Sequence, residues 1–358
     1  MKVIVTAGGT GGHIYPALAI INKIKKLEPN SEFIYIGTHN RMEKDIVPKY
    51  DIKYIPLEIY GLSKKDMVRN IKNVFLIKKS INKCKEIMKD FNPDIVIGVG
   101  GYVTYPVIKA ANSLKIKTFI HEQNSIPGKS NKVLEKFVDA IGVSFEDSKK
   151  YFKNQNKVHF TGNPCSENAV DTKPVLKSDY GVSETKKLVL IVSGSLGSGT
   201  INEKMKDYLN NVAKERYEVI YVTGKSHYEE FSKNMFPKNV HIVPFIENMS
   251  GLLKNTDVIV SRAGASSLSE ILALKVPSVI IPSPYVANNH QYYNALSLKK
   301  SDACIMIEEK DLNKDILSDS INRCLDVDFK IKLKNNMSKL CILDSSTRIY
   351  EIIKEIIK

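Results

Sequence analysis

Tryptophan is absent from the 358-residue chain, and its five cysteines, Cys84, Cys165, Cys304, Cys324 and Cys341, form no C-x-x-C pair. That scatter argues against a zinc cluster or a disulfide framework and predicts a reduced, cytoplasmic setting. Apolar runs are short, well below the roughly 20 residues that a membrane-spanning helix needs. Met1 leads directly into the strand-like run Val3-Ile4-Val5, so no secretory leader is expected. Acidic residues are in deficit, 39 against 53 Lys+Arg, which leaves a net charge of +14. The excess points to an anionic partner: a phosphorylated metabolite, a nucleic acid or an acidic membrane surface.

A hydrophobic content of 43% marks a globular chain, and its length exceeds what one ordinary core accommodates, so two domains are expected. Short β-branched runs alternate with segments of helical period: Val3-Ile4-Val5, Phe33 to Ile36, Ile95 to Ile97, Thr118 to Ile120, Leu188 to Val192, Val219 to Val222, Val258 to Val260 and Val279 to Ile281. This is the pattern of parallel α/β domains, with strands covered by helices on both faces. Between Asn163 and Lys187 the pattern lapses into polar residues with two prolines, which reads as the inter-domain linker. The final segment, SSTRIYEIIKEIIK, carries Ile349, Ile352, Ile353, Ile356 and Ile357 on one stripe, an amphipathic helix that either domain could accept.

Each half opens on a strand running into a glycine-rich loop, VIVTAGGTGG and VLIVSGSLGSG, and each has a second such loop, IVIGVGGYVTYP and VIVSRAGASSLSE. Bare backbone N–H groups ahead of a helix start suit an anion such as phosphate. Open α/β sheets bind ligands at the carboxyl ends of their strands, which predicts a cleft between two facing domains. Pro16 suggests that the first helix begins near His13 or Ile14. Several familiar motifs fail. The dinucleotide fingerprint G-x-G-x-x-G is broken at Gly9-Thr10-Gly11-Gly12-His13-Ile14, and the second strand ends without an acidic residue. A P-loop would need glycine where Val219 precedes Gly224-Lys225-Ser226, and Ser193 replaces the first glycine of a nucleophile elbow. Asp326-Val327-Asp328 spells D-x-D but lies in a polar tail, where a solvated pair is expected.

Taken together, GGTGGHIYPALA, GVGGYVTYP, HEQNSIPGKSN, TGNP, SGSLGS and SRAGASSLSE…PSVIIP…NNHQYYNA resemble the MurG family of glycosyltransferases over essentially the whole chain. The resemblance implies an α/β GT-B fold: two Rossmann-like, doubly wound parallel-sheet domains facing across a cleft, with no metal or cofactor. It implies residues 1–163 as the acceptor- and membrane-binding domain, rejoined by helix 345–358, and 164–344 as the UDP-sugar domain. The activity implied is inverting transfer of N-acetylglucosamine from UDP-N-acetylglucosamine to a lipid-linked muramyl-pentapeptide acceptor; a glycosyl-diacylglycerol type of lipid glycosyltransferase is the alternative. Thr10, Gly11, Gly12, Gly100, Gly101 and Tyr102 would serve the acceptor, the bare amides from Gly8 to Gly12 meeting its diphosphate.

His13, directly after that loop, is the candidate general base or polarising group at the acceptor hydroxyl, unless it only caps or packs at the helix start. Glu122 is the rival base, or else satisfies turn amides. Asn124 resembles the family's donor-sugar contact. In the second half Ser195, Ala265, Ser266 and Ser267 would hold the UDP diphosphate, and Ile246 the uracil edge through its backbone. Glu270 would bind the ribose hydroxyls, or would close a capping box with Ser267. His290 and Gln291 stand where the family places glutamines against the donor. Cys165-Ser166 follows TGNP where some members carry arginine, so the source of that charge is open.

Nine basic residues lie between Gly61 and Lys89: Lys64, Lys65, Arg69, Lys72, Lys78, Lys79, Lys83, Lys85 and Lys89. Helical spacing sends Met67, Ile71, Val74, Ile77, Ile81, Cys84 and Met88 to the core. It leaves Leu76 and Ile87 among Arg69, Lys72, Lys79 and Lys83, a face suited to an anionic membrane surface or simply to water. Peripheral attachment at the cytoplasmic face of the membrane follows from the first of these. No helix-turn-helix, finger or aromatic-interleaved basic sheet is present, so no nucleic-acid partner is expected.

Overall fold

A computed structural model of the chain describes residues 1–61, 67–193 and 199–358, with the side chains of residues 67–69 also outside the description. The chain forms two compact units, Met1–Cys165 with Asp344–Lys358, and Ser166–Leu343.

The first unit holds a seven-stranded parallel sheet. Its strands are β1 (Lys2–Thr6), β2 (Glu32–Thr38), β3 (Lys53–Leu57), β4 (Ile95–Gly98), β5 (Lys117–Glu122), β6 (Ala140–Val143) and β7 (Val158–Phe160), in the order β3-β2-β1-β4-β5-β6-β7. The second holds six parallel strands, β8 (Lys187–Val192), β9 (Tyr217–Val222), β10 (Val240–Val243), β11 (Val258–Ser261), β12 (Ser278–Ile280) and β13 (Ile305–Met306), in the order β10-β9-β8-β11-β12-β13. Each sheet reverses direction of growth beside its first strand, between β1 and β4 and between β8 and β11, and the four glycine-bearing loops leave those four strands. Such switch points are where open sheets take ligands.

Central strands are apolar on both faces because helices cover both. Val3, Ile4 and Val5 are fully buried, as are Val189, Leu190, Val258 and Val279. The first helix spans Gly11–Leu27, starting ahead of His13 because the Thr10 carbonyl accepts from the His13 and Ile14 N–H groups at 3.1 and 3.2 Å. Pro16 therefore lies inside the helix, and His13 in its first turn. The stretch read as a linker is folded: Pro164–Asp171 is helical. Lys254 Nζ donates to the Val170 and Thr172 carbonyls at 2.7 and 2.5 Å, and Asn255 to that of Val175, so polar composition here reflects bonds rather than slack chain.

The basic helix, Met67–Phe91, faces differently from the helical-spacing expectation in its first half. Asn73, only 1% exposed, turns inward because its side-chain amide accepts from the Tyr60 N–H at 2.9 Å and donates to the Tyr60 carbonyl at 2.5 Å. Ile71 and Val74 are thereby displaced to the surface, 61% exposed each, beside Phe75 at 71%. Ile87, expected outside, packs against the core with Ile77, Ile81, Cys84 and Met88. Met67 and Arg69 belong to the side chains not described, and Lys64 and Lys65 lie outside the described residues.

The C-terminal helix, Ser345–Ile357, sends Ile349 and Ile353 fully buried into the core of the first unit against the first helix. At that seam Glu28 Oε1 accepts from Lys354 Nζ and from the Tyr350 hydroxyl, both at 2.8 Å. Hydrogen bonding from Lys354 outweighs partial burial and, with Tyr350, lowers the Glu28 carboxyl from 4.5 to about 2. A carboxyl with depressed proton affinity in the folded state stabilises above its unfolded value and loses that contribution as the pH falls through the folded one. Glu28→Gln is expected to destabilise the chain at pH 7 by about 1 kcal/mol or less, since both charges still touch water. The difference from wild type in thermal melts should shrink between pH ~4.5 and ~2.

Candidate functional site

At the β1–β4 switch point the two loops of the first unit interlock. The Gly8 N–H donates to the Gly100 carbonyl at 3.2 Å, and the Val99 N–H to that of Thr6 at 2.8 Å. Gly100 and Gly101 have φ of +106° and +87°, backbone that favours glycine. A Cβ on Gly100 would stand 2.7 Å from the His13 ring, and one on Gly101 would overlap the Gly8 carbonyl. The Thr104 hydroxyl donates to the Gly100 carbonyl at 2.8 Å and holds the second loop in place. Tyr102 lies over Gly61, partly buried against the core.

His13 is in this interlock. Its Nδ1 is 2.9 Å from the Gly8 carbonyl, which can only accept, so Nδ1 carries a proton and a ring with one proton presents its lone pair at Nε2. Two N–H groups of the loop are occupied by protein: that of Gly8 by Gly100, and that of Gly9 by Glu43 Oε2 at 3.1 Å. Thr10, Gly11 and Gly12 form the helix start, the end of a helix whose partial positive charge suits an anion.

Glu122 ends β5, 2% exposed. One oxygen accepts from the Asn124 N–H (2.9 Å) and side-chain amide (3.3 Å), the other from the Gly128 N–H (2.9 Å) and the Asn131 amide (2.8 Å). Four donors occupy a group with about four acceptor sites, the geometry of a turn organiser. It shapes the loop that carries Asn124. Behind it His121 Nε2 donates to the Gly162 carbonyl at 3.0 Å and Nδ1 accepts from Gln123 Nε2 at 3.1 Å. Burial lowers His121 to about 4, so it is neutral, and Gln123 also donates to the Val99 carbonyl at 3.1 Å, tying this turn to the second glycine loop.

In the second unit Ser195 lies outside the described residues, as do its loop neighbours from Gly194 to Ser198. The other loop is described. Gly264 is the extended N-cap of the helix Ala265–Leu274, which puts Ala265, Ser266 and Ser267 in its first turn with N–H groups toward any bound anion. Ser267 is not the cap, so the capping-box alternative for Glu270 is overturned. Glu270 instead accepts from the Ser250 hydroxyl at 3.1 Å, and burial raises its carboxyl to about 7. Ile246 is buried beside Phe245, over which Lys225 Nζ stands 5.0 Å from the ring centroid.

Gln291 Oε1 accepts from the Ser283 N–H at 2.9 Å, while His290 Nδ1 bonds the Ala287 carbonyl at 2.8 Å. Three groups were missed in the sequence reading. Asn294, fully buried, donates to the Ala263 carbonyl at 3.1 Å and sets the approach to Gly264. Arg262 pairs with Glu309 at 2.7 Å, both buried, and donates to the Ile281 carbonyl. Glu43 is the third. Asn294 was within a quoted motif; Arg262 and Glu43 find partners 47 and 34 residues away in sequence, beyond any local pattern. Cys165, at the arginine position, is buried with its N–H on Asn163. Asp326 of D-x-D caps the helix Val327–Leu340 by accepting from the Phe329 N–H.

Residues 3–143 match the glycosyltransferase family 28 N-terminal domain, and residues 188–356 its C-terminal domain. A UDP-N-acetylglucosamine–N-acetylmuramyl-(pentapeptide) pyrophosphoryl-undecaprenol N-acetylglucosamine transferase of Bacillus pumilus is 42% identical, with 99% of each chain covered. One from Bacillus thuringiensis is 44% identical over 100% of both. Among solved structures, the Acinetobacter baumannii MurG superposes with a TM-score of 0.76 at 24% identity, covering 99% of both chains. A Neisseria meningitidis UDP-GlcNAc 2-epimerase bound to UDP-GlcNAc gives 0.70 at 15% identity, covering 99% of this chain and 100% of that one. These superpositions establish the GT-B fold. With both domains matched and full-length relatives at 42% and 44% identity, the chain belongs to glycosyltransferase family 28.

Proposed function

We propose that the chain transfers N-acetylglucosamine from UDP-N-acetylglucosamine to the C4 hydroxyl of the muramyl residue in undecaprenyl-diphospho-muramyl pentapeptide, a step of peptidoglycan synthesis. The observation that carries this reading is full-length identity of 42–44% to relatives bearing that name, with the glycine loops of the family present at both switch points. His13 Nε2 takes the hydroxyl proton as the acceptor oxygen attacks the sugar C1. The bond from C1 to the phosphate oxygen breaks, the configuration at C1 inverts, and UDP leaves. Thr10, Gly11, Gly12, Gly100, Gly101 and Tyr102 hold the acceptor, and Glu122 keeps Asn124 in place for the donor sugar. Ala265, Ser266 and Ser267 offer N–H groups to the leaving diphosphate, with Ser195. Ile246 meets the uracil, Glu270 the ribose hydroxyls, and His290 and Gln291 border the donor.

The bared apolar face of the basic helix supports peripheral attachment to the cytoplasmic face of the membrane. Ile71, Val74 and Phe75 stand exposed at helical spacing, with Lys72, Lys78 and Lys79 exposed around them. Each lysine near an anionic leaflet contributes about 1 kcal/mol. Among the described residues no helix is long and apolar enough to cross a membrane.

Three outcomes test these assignments. His13→Ala is expected to lower turnover of labelled N-acetylglucosamine onto the lipid acceptor by about 100-fold or more with the fold intact by circular dichroism; unchanged turnover removes His13 from the chemistry. Because an ionised Glu270 accepts both ribose hydroxyls and burial raises its carboxyl to about 7, the donor KM should rise as the pH falls below about 7. Glu270→Gln should have a higher KM with no such pH dependence. Phe75→Asp should reduce co-sedimentation with phosphatidylglycerol vesicles about 10-fold at low salt, while leaving turnover on a detergent-solubilised acceptor unchanged.

A further inference from the structure

The Gly8–Gly9 peptide is held at both ends. Its carbonyl accepts from His13 Nδ1 at 2.9 Å, and its N–H donates to Glu43 Oε2 at 3.1 Å. The second Glu43 oxygen accepts from the Thr38 N–H at 3.0 Å and the Thr38 hydroxyl at 2.6 Å. The carboxylate is wholly buried on the short helix Glu43–Ile46, and a Cβ on Gly8 would fall 2.6 Å from Oε1. Tyr54 closes the far side by donating its hydroxyl to the Thr38 carbonyl at 2.5 Å. Burial first, and the Glu43 charge second, keep the Tyr54 and Tyr35 hydroxyls protonated beside it.

We propose that Glu43 is a positioning residue for His13, acting through the Gly8–Gly9 peptide. Carboxylate, amide and imidazole form one hydrogen-bonded chain, in which each bond polarises the next. The carboxylate pulls on the Gly9 N–H, which enriches the Gly8 carbonyl, which in turn holds the proton on Nδ1 and aims the Nε2 lone pair. An acid that orients a catalytic imidazole usually touches the ring directly; here a peptide bond stands between them. The inference rests on the reading of His13 as the base.

Glutamine at position 43 cannot reproduce the arrangement. Two backbone N–H groups, of Gly9 and Thr38, approach the two oxygens, and an amide offers only one acceptor atom. With its oxygen on the two Thr38 donors, its NH2 opposes the Gly9 N–H, and the peptide loses its anchor. Glu43→Asp keeps the charge but is one methylene short of spanning Thr38 and Gly9 together.

The test is the 15N spectrum of His13 in the full chain, assigned by its loss in His13→Ala and recorded above the ring's titration. Wild type should show the Nδ1–H form with a bare Nε2. Glu43→Gln should give mixed tautomers and a kcat lower by about 10- to 100-fold, with the donor KM changed by less than about twofold. Glu43→Asp should do the same, and serves where Glu43→Gln fails to fold. An Nε2–H or mixed ring in wild type overturns the proposal, as does a variant that keeps both tautomer and kcat. Full turnover by His13→Ala would instead overturn the base assignment, leaving the tautomer result to decide the chain of bonds on its own.

Discussion

Contact between two glycine loops governs the first unit. A Cβ on Gly101 would overlap the Gly8 carbonyl, one on Gly8 would meet Glu43 and Val103, and one on Gly100 would meet the His13 ring. That contact lets one loop lend its Gly100 carbonyl to the Gly8 N–H while the Gly8 carbonyl turns to His13. The imidazole Nδ1 thus meets backbone directly, and any side chain that orients it acts through that backbone. Orientation by backbone is stiff, because it moves only if both loops move. It also spends N–H groups on packing: those of Gly8 and Gly9 serve Gly100 and Glu43, which concentrates any anion-binding role of this loop at the helix start beyond Thr10.

The second unit solves the same problem differently. Its switch-point loop between β11 and the helix Ala265–Leu274 carries one glycine, Gly264, and is braced by side chains instead. Asn294 holds the Ala263 carbonyl, and the buried Arg262 bridges the Ile281 carbonyl and Glu309. Glu309 also accepts from the Thr200 hydroxyl near the start of the helix Gly199–Asn211. A buried ion pair adds little net stability against an apolar pair, but losing one partner strands a charge, at about 3–5 kcal/mol. Such a pair fixes geometry, and here it joins the two loops' helices at the place where the donor's diphosphate is proposed to bind.

The parts legible in the sequence were those encoded locally. All eight β-branched runs are strands, and the glycine loops among the described residues stand at the two switch points, because a doubly covered strand must be continuously apolar and a close-packed loop must be bare. The strands not anticipated, β3, β6, β7, β10 and β13, are short, or are interrupted by Pro56 or Gly142, or lie toward sheet edges. The first helix starts at Gly11 rather than near His13 because the Thr10 carbonyl accepts from the His13 and Ile14 N–H groups, bonds that Pro16 does not reveal. The first half of the basic helix departs from its periodicity for a related reason: periodicity treats asparagine as surface, but Asn73 turns inward to bond both the N–H and the carbonyl of Tyr60, and Ile71 and Val74 face out.

The same logic accounts for an arrangement that at first looks unfavourable. Two buried carboxylates, Glu43 and Glu122, flank loops proposed to receive the anionic acceptor and the donor, in a chain that carries a surplus of positive charge. A bare carboxylate there would repel a diphosphate. Each is instead enclosed by donors: Glu43 by Gly9 and Thr38, Glu122 by Asn124, Gly128 and Asn131. Those dipoles point their positive ends at the carboxylates and offset their charge. The carboxylates hold the loop backbone in shapes that water could not hold. Net charge therefore brings an anionic surface to the molecule, while the placement of the reacting groups falls to buried acids that make no contact with it.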